Sequence, residues 1–344
     1  MKVHVTDLKP GDRLQSDTFN PTGLHALSRG TVLRREDIQN LIRIKVEHVN
    51  IELRDMTQAL NGDIEDHGLH DDFDAAILNY ESIFMEALRT GHFTISLVDD
   101  TLRPLMAKLE TQKDIVSLLL LLDRDDIDTY HHSLQVGLLS YYLALWLGYP
   151  PEERFRISRA GYLHDIGKSQ VPLSILNKLG PLDDAEEREL KRHTSYGYEI
   201  IYSSMEDESA ALVALQHHEW ADGTGYPHKL RSTELHPYTE IVTVANIYMG
   251  LITSRLTRPK QGLHTVLRMV HEMGFGKLSG NVVQALTSRL LPGFVGRKVQ
   301  LSSGEHGVIV MNNALDPFKP LVQVNDLFLD LSRERSLTVE EVYI

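Results

Sequence analysis

Apolar residues recur at helical spacing through most of this chain and at strand spacing only towards its two ends. From about Asp74 to Leu122 they fall three and four apart, as in Ile77, Tyr80, Ile83 and Phe84 and again in Ile115, Leu118, Leu119 and Leu122. That spacing predicts helices with one buried face. The pattern continues from Asp128 to about Leu291, punctuated by Gly148, Pro150-Pro151, Gly167, Gly180-Pro181 and a turn-rich cluster from Asp222 to Pro227. Asp183 with Glu186 three residues later predicts a capping box opening one of these helices. Ala211, Leu212 and Leu215 predict the apolar side of another. Residues 1 to about 55 mix short alternations (Val3, Val5, Leu8) with turn signals, and they predict a helix over Arg35 to Ile44 and a strand near Val46 to Leu53. After Pro292 the pattern turns to short strands: Val299 to Leu301, Gly307 to Val310, Leu321 to Val324 and Leu327 to Leu331.

The expected fold class is therefore mainly α: a helical bundle core with a small α+β N-terminal module and a small β C-terminal module. We draw the segments at 1–60, 61–122 (an acidic linker, NGDIEDHGLHDD, and connecting helices), 123–292 and 293–344. The stripes between Asp74 and Leu122 suit either pairing of two copies into a homodimer or packing on the core, and packing on the core is the expectation.

Composition narrows the chemistry. A chain that is 42% hydrophobic and 24% charged has the balance of a folded globular protein. With no cysteine there is neither a disulfide framework nor a thiolate metal site, so any metal must be held by nitrogen and oxygen. A net charge of -13 argues against a DNA- or RNA-binding face, although a small anion can still enter a locally positive site. The charged N-terminal stretch and the lack of a long apolar run set the expectation of a cytoplasmic protein without a membrane span.

Of the 17 histidines, eight fall between His131 and His236, and this clustering directs attention to a metal site. A lone histidine on an apolar face is more often a satisfied core residue than a ligand, so the set carries the argument. His132, His164-Asp165, His193 and His217-His218 each fall in or near a predicted helix, and facing helices can project such ligands into a shared centre. Asp128 and His132 are four apart and share a helix face. His164-Asp165 ends an apolar helical stretch, where a buried aspartate needs a cationic partner: a metal, or Lys168 in a plain helix-end pair. Gly167 is expected to stop that helix and leave Lys168 at the mouth of the site. In HHEWADGTGYP, Gly223 and Gly225 permit positive φ and Pro227 stiffens the exit. Such a loop suits a ligand, and a plain helix-to-helix turn explains its glycines equally well.

HDIGK at His164 to Lys168, together with HHEWADGTGYP at His217 to Pro227, resembles the HD-GYP family of HD-superfamily phosphohydrolases. His132-Ser133 resembles the family's first ligand histidine, and His193 the one that follows a stretch like VPLSILNKLGPL. The resemblance covers about Asp128 to Arg258 and is specific because the pattern is long.

This resemblance implies an HD-type helical bundle that hydrolyses cyclic di-GMP to the linear dinucleotide, some members continuing to GMP, with two or three divalent metal ions, often iron or manganese. It implies His132, His164, Asp165, His193, His217 and His218 as metal ligands, with Asp128 resembling a carboxylate that adds a third site. Asp165 and Lys168 would be the catalytic pair. Lys168 and Arg255 would face the substrate phosphates, with Gly223, Gly225 and Tyr226 of the loop as further substrate contacts. The chain departs from the family pattern in VANIYMGLITSRLTR, where Asn246 and Met249 stand at positions that usually hold aspartates. The first of these is normally a ligand, and the neutral amide of Asn246 binds a cation less strongly than a carboxylate. The departure leaves two outcomes: hydrolysis at a weaker site, or a non-catalytic receptor whose loop contacts a partner such as a diguanylate cyclase. The presence of the other ligands favours hydrolysis. Action on another nucleotide is a third reading that the loop disfavours.

Overall fold

The helix Thr129–Trp146 carries thirteen consecutive buried residues, His132 to Ala144. The computed structural model describes residues 2–5, 8, 12–20, 25–44, 46, 48–51, 69–110, 129–178, 180–253, 262–325, 327–334 and 336–343. These fall into two compact units, 1–68 and 69–344.

In the first unit, strands β1 (Lys2–His4) and β4 (His48–Asn50) pair antiparallel, as do β2 (Thr18–Phe19) and β3 (His25–Leu27). Helix α1 (Arg35–Arg43) supplies Ile38 and Leu41 to a core with Leu14, Leu33, Val49 and Ile51.

The second unit is mostly helical: α2 (Leu69–Thr90), α3 (Ile95–Leu109), α4 (Thr129–Trp146), α5 (Pro151–Leu163), the short α6 (Leu173–Leu176), α7 (Asp184–Lys191), α8 (His193–Met205), α9 (Glu208–Gln216), α10 (Pro237–Ile252), α11 (Leu263–Met273) and α12 (Gly280–Leu290). Local chemistry sets their starts. Pro151 opens α5 with Glu152 and Glu153 in its first turn, where the missing N–H and the positive end of the helix dipole cost nothing and favour acid. The Asp183 carboxylate accepts from the Ala185 and Glu186 amides while Glu186 reaches back to the Asp183 amide, the expected capping box. The stripe of α2 (Tyr80, Ile83, Phe84) packs into the same core as α4 and α5, as do Leu102, Leu105 and Leu109 of α3. On α9 the buried residues are Ala210, Ala211, Val213, Ala214 and Gln216, whereas Leu212 and Leu215 are only half-buried. Small side chains line that face because α8 and α5 flank it closely.

Helices α4 and α5 cross at small residues. A Cβ on Gly137 would lie 3.0 Å from the Ser158 carbonyl, and one on Gly161 2.9 Å from Ser140 Oγ. The Ser158 hydroxyl donates to the Gly137 carbonyl at 2.9 Å. This close approach brings His132 on α4 opposite His164 at the end of α5.

The C-terminal sheet is antiparallel, in the order β8 (Leu327–Asp330), β7 (Leu321–Val324), β6 (His306–Met311), β5 (Lys298–Leu301), β9 (Val339–Tyr343). Four of these strands were anticipated by alternation; β9 was not, since Glu340 and Glu341 stand together and break the period of two. Val299, Leu301, Ile309, Val322 and Val339 turn inward and join the helical core. Among the described residues, no helix is long and apolar enough to cross a membrane.

Candidate metal centre

His164, the residue that caps α5, and Asp165 after it are both essentially inaccessible to solvent. The helix stops at Leu163, before the glycine expected to end it. Gly167 has a different task. A Cβ there would sit 1.9 Å from the His193 carbonyl oxygen and 2.4 Å from the Gly197 amide, so only glycine lets the 3-10 turn Ile166–Gln170 press against α8. That contact brings His193, the first residue of α8, to Asp165.

Two groups of ligand atoms result. His132, His164 and Asp165 form one, and His193, His217 and His218 form the other; within each, the ligand atoms lie within 4.8 Å of one another. Asp165 stands between them. Its Oδ2 is 3.3 Å from His164 Nε2, while its Oδ1 is 3.5 Å from His193 Nε2 and 3.6 Å from His217 Nε2. His193 Nε2 and His217 Nε2 are themselves 3.4 Å apart.

Three of the imidazoles have a fixed tautomer. His164 Nδ1 faces the Gly161 carbonyl at 2.7 Å, His193 Nδ1 the Leu190 carbonyl at 2.6 Å and His217 Nδ1 the Ala214 carbonyl at 2.8 Å. A carbonyl oxygen can only accept, so each Nδ1 carries the proton and each Nε2 presents a lone pair to the centre. Burial pushes His132 and His193 down to about 3 and also lowers His217 and His218, so these four are neutral at pH 7. Burial alone would raise the Asp165 carboxyl, but the Lys168 ammonium and His164 hold it well below the ordinary carboxylate range. Among the described residues, buried His164 Nε2 and Asp165 Oδ1 have no hydrogen-bond partner. Neutral imidazole lone pairs and an ionised, under-satisfied carboxylate are the donor set of a divalent cation, and the residues fit one.

Lys168 is partly exposed and its Nζ lies 2.5 Å from Asp165 Oδ2. Asn246 on α10 places Oδ1 2.9 Å from His132 Nε2, on the side of the first group. Met249 is buried. Asp128 and Arg255 lie outside the described residues.

The loop after α9 folds back over the second group. Gly223 has φ +80°, whereas Gly225 is not in the left-handed region. Its Cβ would lie 2.4 Å from Glu219 Cα and 2.5 Å from the His218 carbonyl, so glycine is required there for close approach. The Tyr226 ring stacks on His218, with centroids 4.6 Å apart and planes at 16°, and Lys191 Nζ lies 5.3 Å from the centre of that ring. Reading the sequence picked out neither Glu219, buried beneath this loop, nor the bridging position of Asp165 between two groups. Glu219 carried one signal, a carboxylate directly after His217-His218 at the end of an apolar helix.

Residues 110–278, which hold all the described side chains of this His/Asp centre, match the HD domain family. The chain is 30% identical over 240 residues to the cyclic di-GMP phosphodiesterase PA4108 of Pseudomonas aeruginosa, covering 70% of this chain and 56% of that protein. It is 35% identical over 144 residues to 3'3'-cGAMP-specific phosphodiesterase 3 of Vibrio cholerae, covering 42% of this chain and 31% of the relative. The chain thus spans between about a third and just over half of these relatives. In fold it is similar to Bd1817, an HDG"Y"P protein from Bdellovibrio bacteriovorus, with a TM-score of 0.54 at 19% identity over 84% of this chain and 99% of that one. The HDIGK and HHEWADGTGYP segments both lie within the residues that match the HD domain.

Proposed function

We propose that the chain is a cytoplasmic, metal-dependent phosphodiesterase that hydrolyses cyclic di-GMP to linear pGpG. The observation that carries this reading is the position of Asp165, whose two oxygens face two separate histidine groups. A carboxylate so placed, together with the two histidine groups, would hold divalent cations. We assign His132, His164 and Asp165, assisted by Asn246, to one ion and Asp165, His193, His217 and His218 to the other, with iron or manganese as the expected metals and Asp128 as a further donor. Divalent ions held there acidify water and neutralise charge on phosphoryl oxygens.

The remaining work belongs to side chains. Lys168, anchored to Asp165, holds its ammonium where it can contact the scissile phosphate or protonate the leaving oxygen. Gly223, Gly225 and Tyr226 form the wall against which the dinucleotide lies, and Arg255 is assigned to its phosphates by resemblance. The names of the relatives, one acting on cyclic di-GMP and one on 3'3'-cGAMP, support a cyclic dinucleotide as the substrate class.

A second reading is favoured by one contact. With Asn246 Oδ1 at 2.9 Å, His132 Nε2 donates to the amide instead of pointing a lone pair into the site. On that reading the chain is a receptor that binds without cutting, and the exposed tip of the loop, Asp222 and Thr224, meets a diguanylate cyclase. Anaerobic assay of iron- or manganese-loaded protein with cyclic di-GMP separates the two. We expect pGpG from the wild type and a loss on the order of 10³-fold or more in Asp165→Ala. Tight binding of cyclic di-GMP without product would select the receptor.

A further inference from the structure

We propose that Glu219 is a positioning residue that clasps the loop 222–230 onto the end of α9, and through it sets Tyr226 over His218. Glu219 is 1% exposed. Its Oε1 accepts the His228 amide at 2.6 Å and its Oε2 accepts the Leu230 amide at 3.0 Å. The two donors lie beyond the loop's tip, on its return, so a single buried side chain ties the return to the residue next to the proposed ligands. Backbone bonds complete the wrap: the Tyr226 amide donates to the His218 carbonyl at 3.1 Å and the Gly223 amide to the Trp220 carbonyl at 2.8 Å. Gly225 lies directly on the backbone of residues 218–220, with no room for a side chain. At the tip, Asp222 Oδ1 accepts from both the Thr224 amide and its hydroxyl, which keeps the turn tight without help from solvent.

The chemistry requires a carboxylate. Both loop partners are N–H donors, so the side chain between them must offer two acceptors and no donor. Glutamine has the same shape but turns an NH₂ group against one of the two amides. Aspartate keeps both acceptors but is one methylene too short to span them. Glu219 touches neither substrate nor metal on this reading; it acts through the loop. The inference rests on the proposed function for the roles of His218 and Tyr226, but the clasp itself has readouts that need no activity.

The test uses the full chain. In the wild type, the His228 and Leu230 amides are expected to exchange with solvent about 10³-fold more slowly than free loop amides. In Glu219→Gln, tryptic cleavage after Lys229, which is exposed in the loop, is expected to accelerate about tenfold while cleavage elsewhere is unchanged. KM for cyclic di-GMP is expected to rise about tenfold with kcat within about twofold, since the loop and not the reacting group is displaced. Glu219→Asp should fall between glutamine and the wild type. Free exchange of the two amides in the wild type overturns the proposal, as does a folded Glu219→Gln protein with wild-type cleavage at Lys229 and wild-type KM. A wild-type chain that shows the protected amides but neither binds nor hydrolyses cyclic di-GMP overturns the assigned function and leaves the clasp standing.

Discussion

At the proposed metal centre, Asn246 is the side chain that would set the balance between the two ligand groups. It stands 2.9 Å from His132 and brings a neutral oxygen to the first ligand group, which then depends on two imidazoles and one oxygen of a shared carboxylate. The second group has three imidazoles and the other oxygen. An amide oxygen is a weaker donor to a first-row divalent ion than an imidazole nitrogen, so the first position is the weaker of the two. Asn246→Asp is expected to tighten binding of one manganese ion on the order of tenfold and to leave the tighter ion unchanged. Calorimetric titration of the metal-free protein checks this, and two ions of unchanged affinity in the variant would sink it. The departure at Asn246 was visible in the sequence once the resemblance was drawn. That its oxygen meets His132, and not another ligand, follows only from where α10 crosses α4.

The interface between α11 and the C-terminal sheet contains a buried histidine with a testable consequence. His264 lies among Phe294 and Phe318, with ring centroids 6.2 and 5.5 Å away, and burial together with the charge of Arg268 pushes it down to about 4. The unfolded chain takes up a proton near pH 6.5 and the folded chain only near 4. Below about pH 6.5 the unfolded state therefore binds more protons, and the stability contributed by neutral His264 is lost as the pH falls from about 6.5 to about 4. The loss is roughly 3 kcal/mol at most. His264→Leu should flatten the pH dependence of denaturant unfolding by that amount over that window, and an unchanged slope would count against it. The buried histidines of the metal centre keep their own slope in both proteins. Helical spacing announced the run containing His264, but β9, whose residue Glu340 accepts from Thr265 of α11, was hidden by its paired glutamates. A short strand with a broken alternation declares itself only when a neighbour, here β5, supplies its hydrogen bonds.

Across the larger unit, the proposed ligands come from the first turn of α4, the ends of α5 and α9, the start of α8 and, through Asn246, from α10, so ions bound there would tie five helices together. An ion that binds the folded state alone, at a hundred times its Kd, stabilises by roughly 2.7 kcal/mol. Chelation should lower the melting temperature of the 69–344 unit by roughly 5–10 °C. The small N-terminal unit, which has its own core, should be unaffected. Differential scanning calorimetry with and without a chelator distinguishes the two, and equal shifts in both transitions would argue against a centre confined to the larger unit.

Local signals in the chain were enough for the helix-rich class, for the cap at Asp183 and for the histidines and aspartate to be considered together, because periodicity, capping and ligand chemistry are properties of residues near one another in sequence. Tertiary structure alone decided that Asp165 faces two groups, that Gly167 and Gly225 exist for close approach and not for turning, and that Glu219 lies under the loop. Each of these depends on the distance between segments that sequence leaves far apart, set by helix crossings only a few ångströms wide.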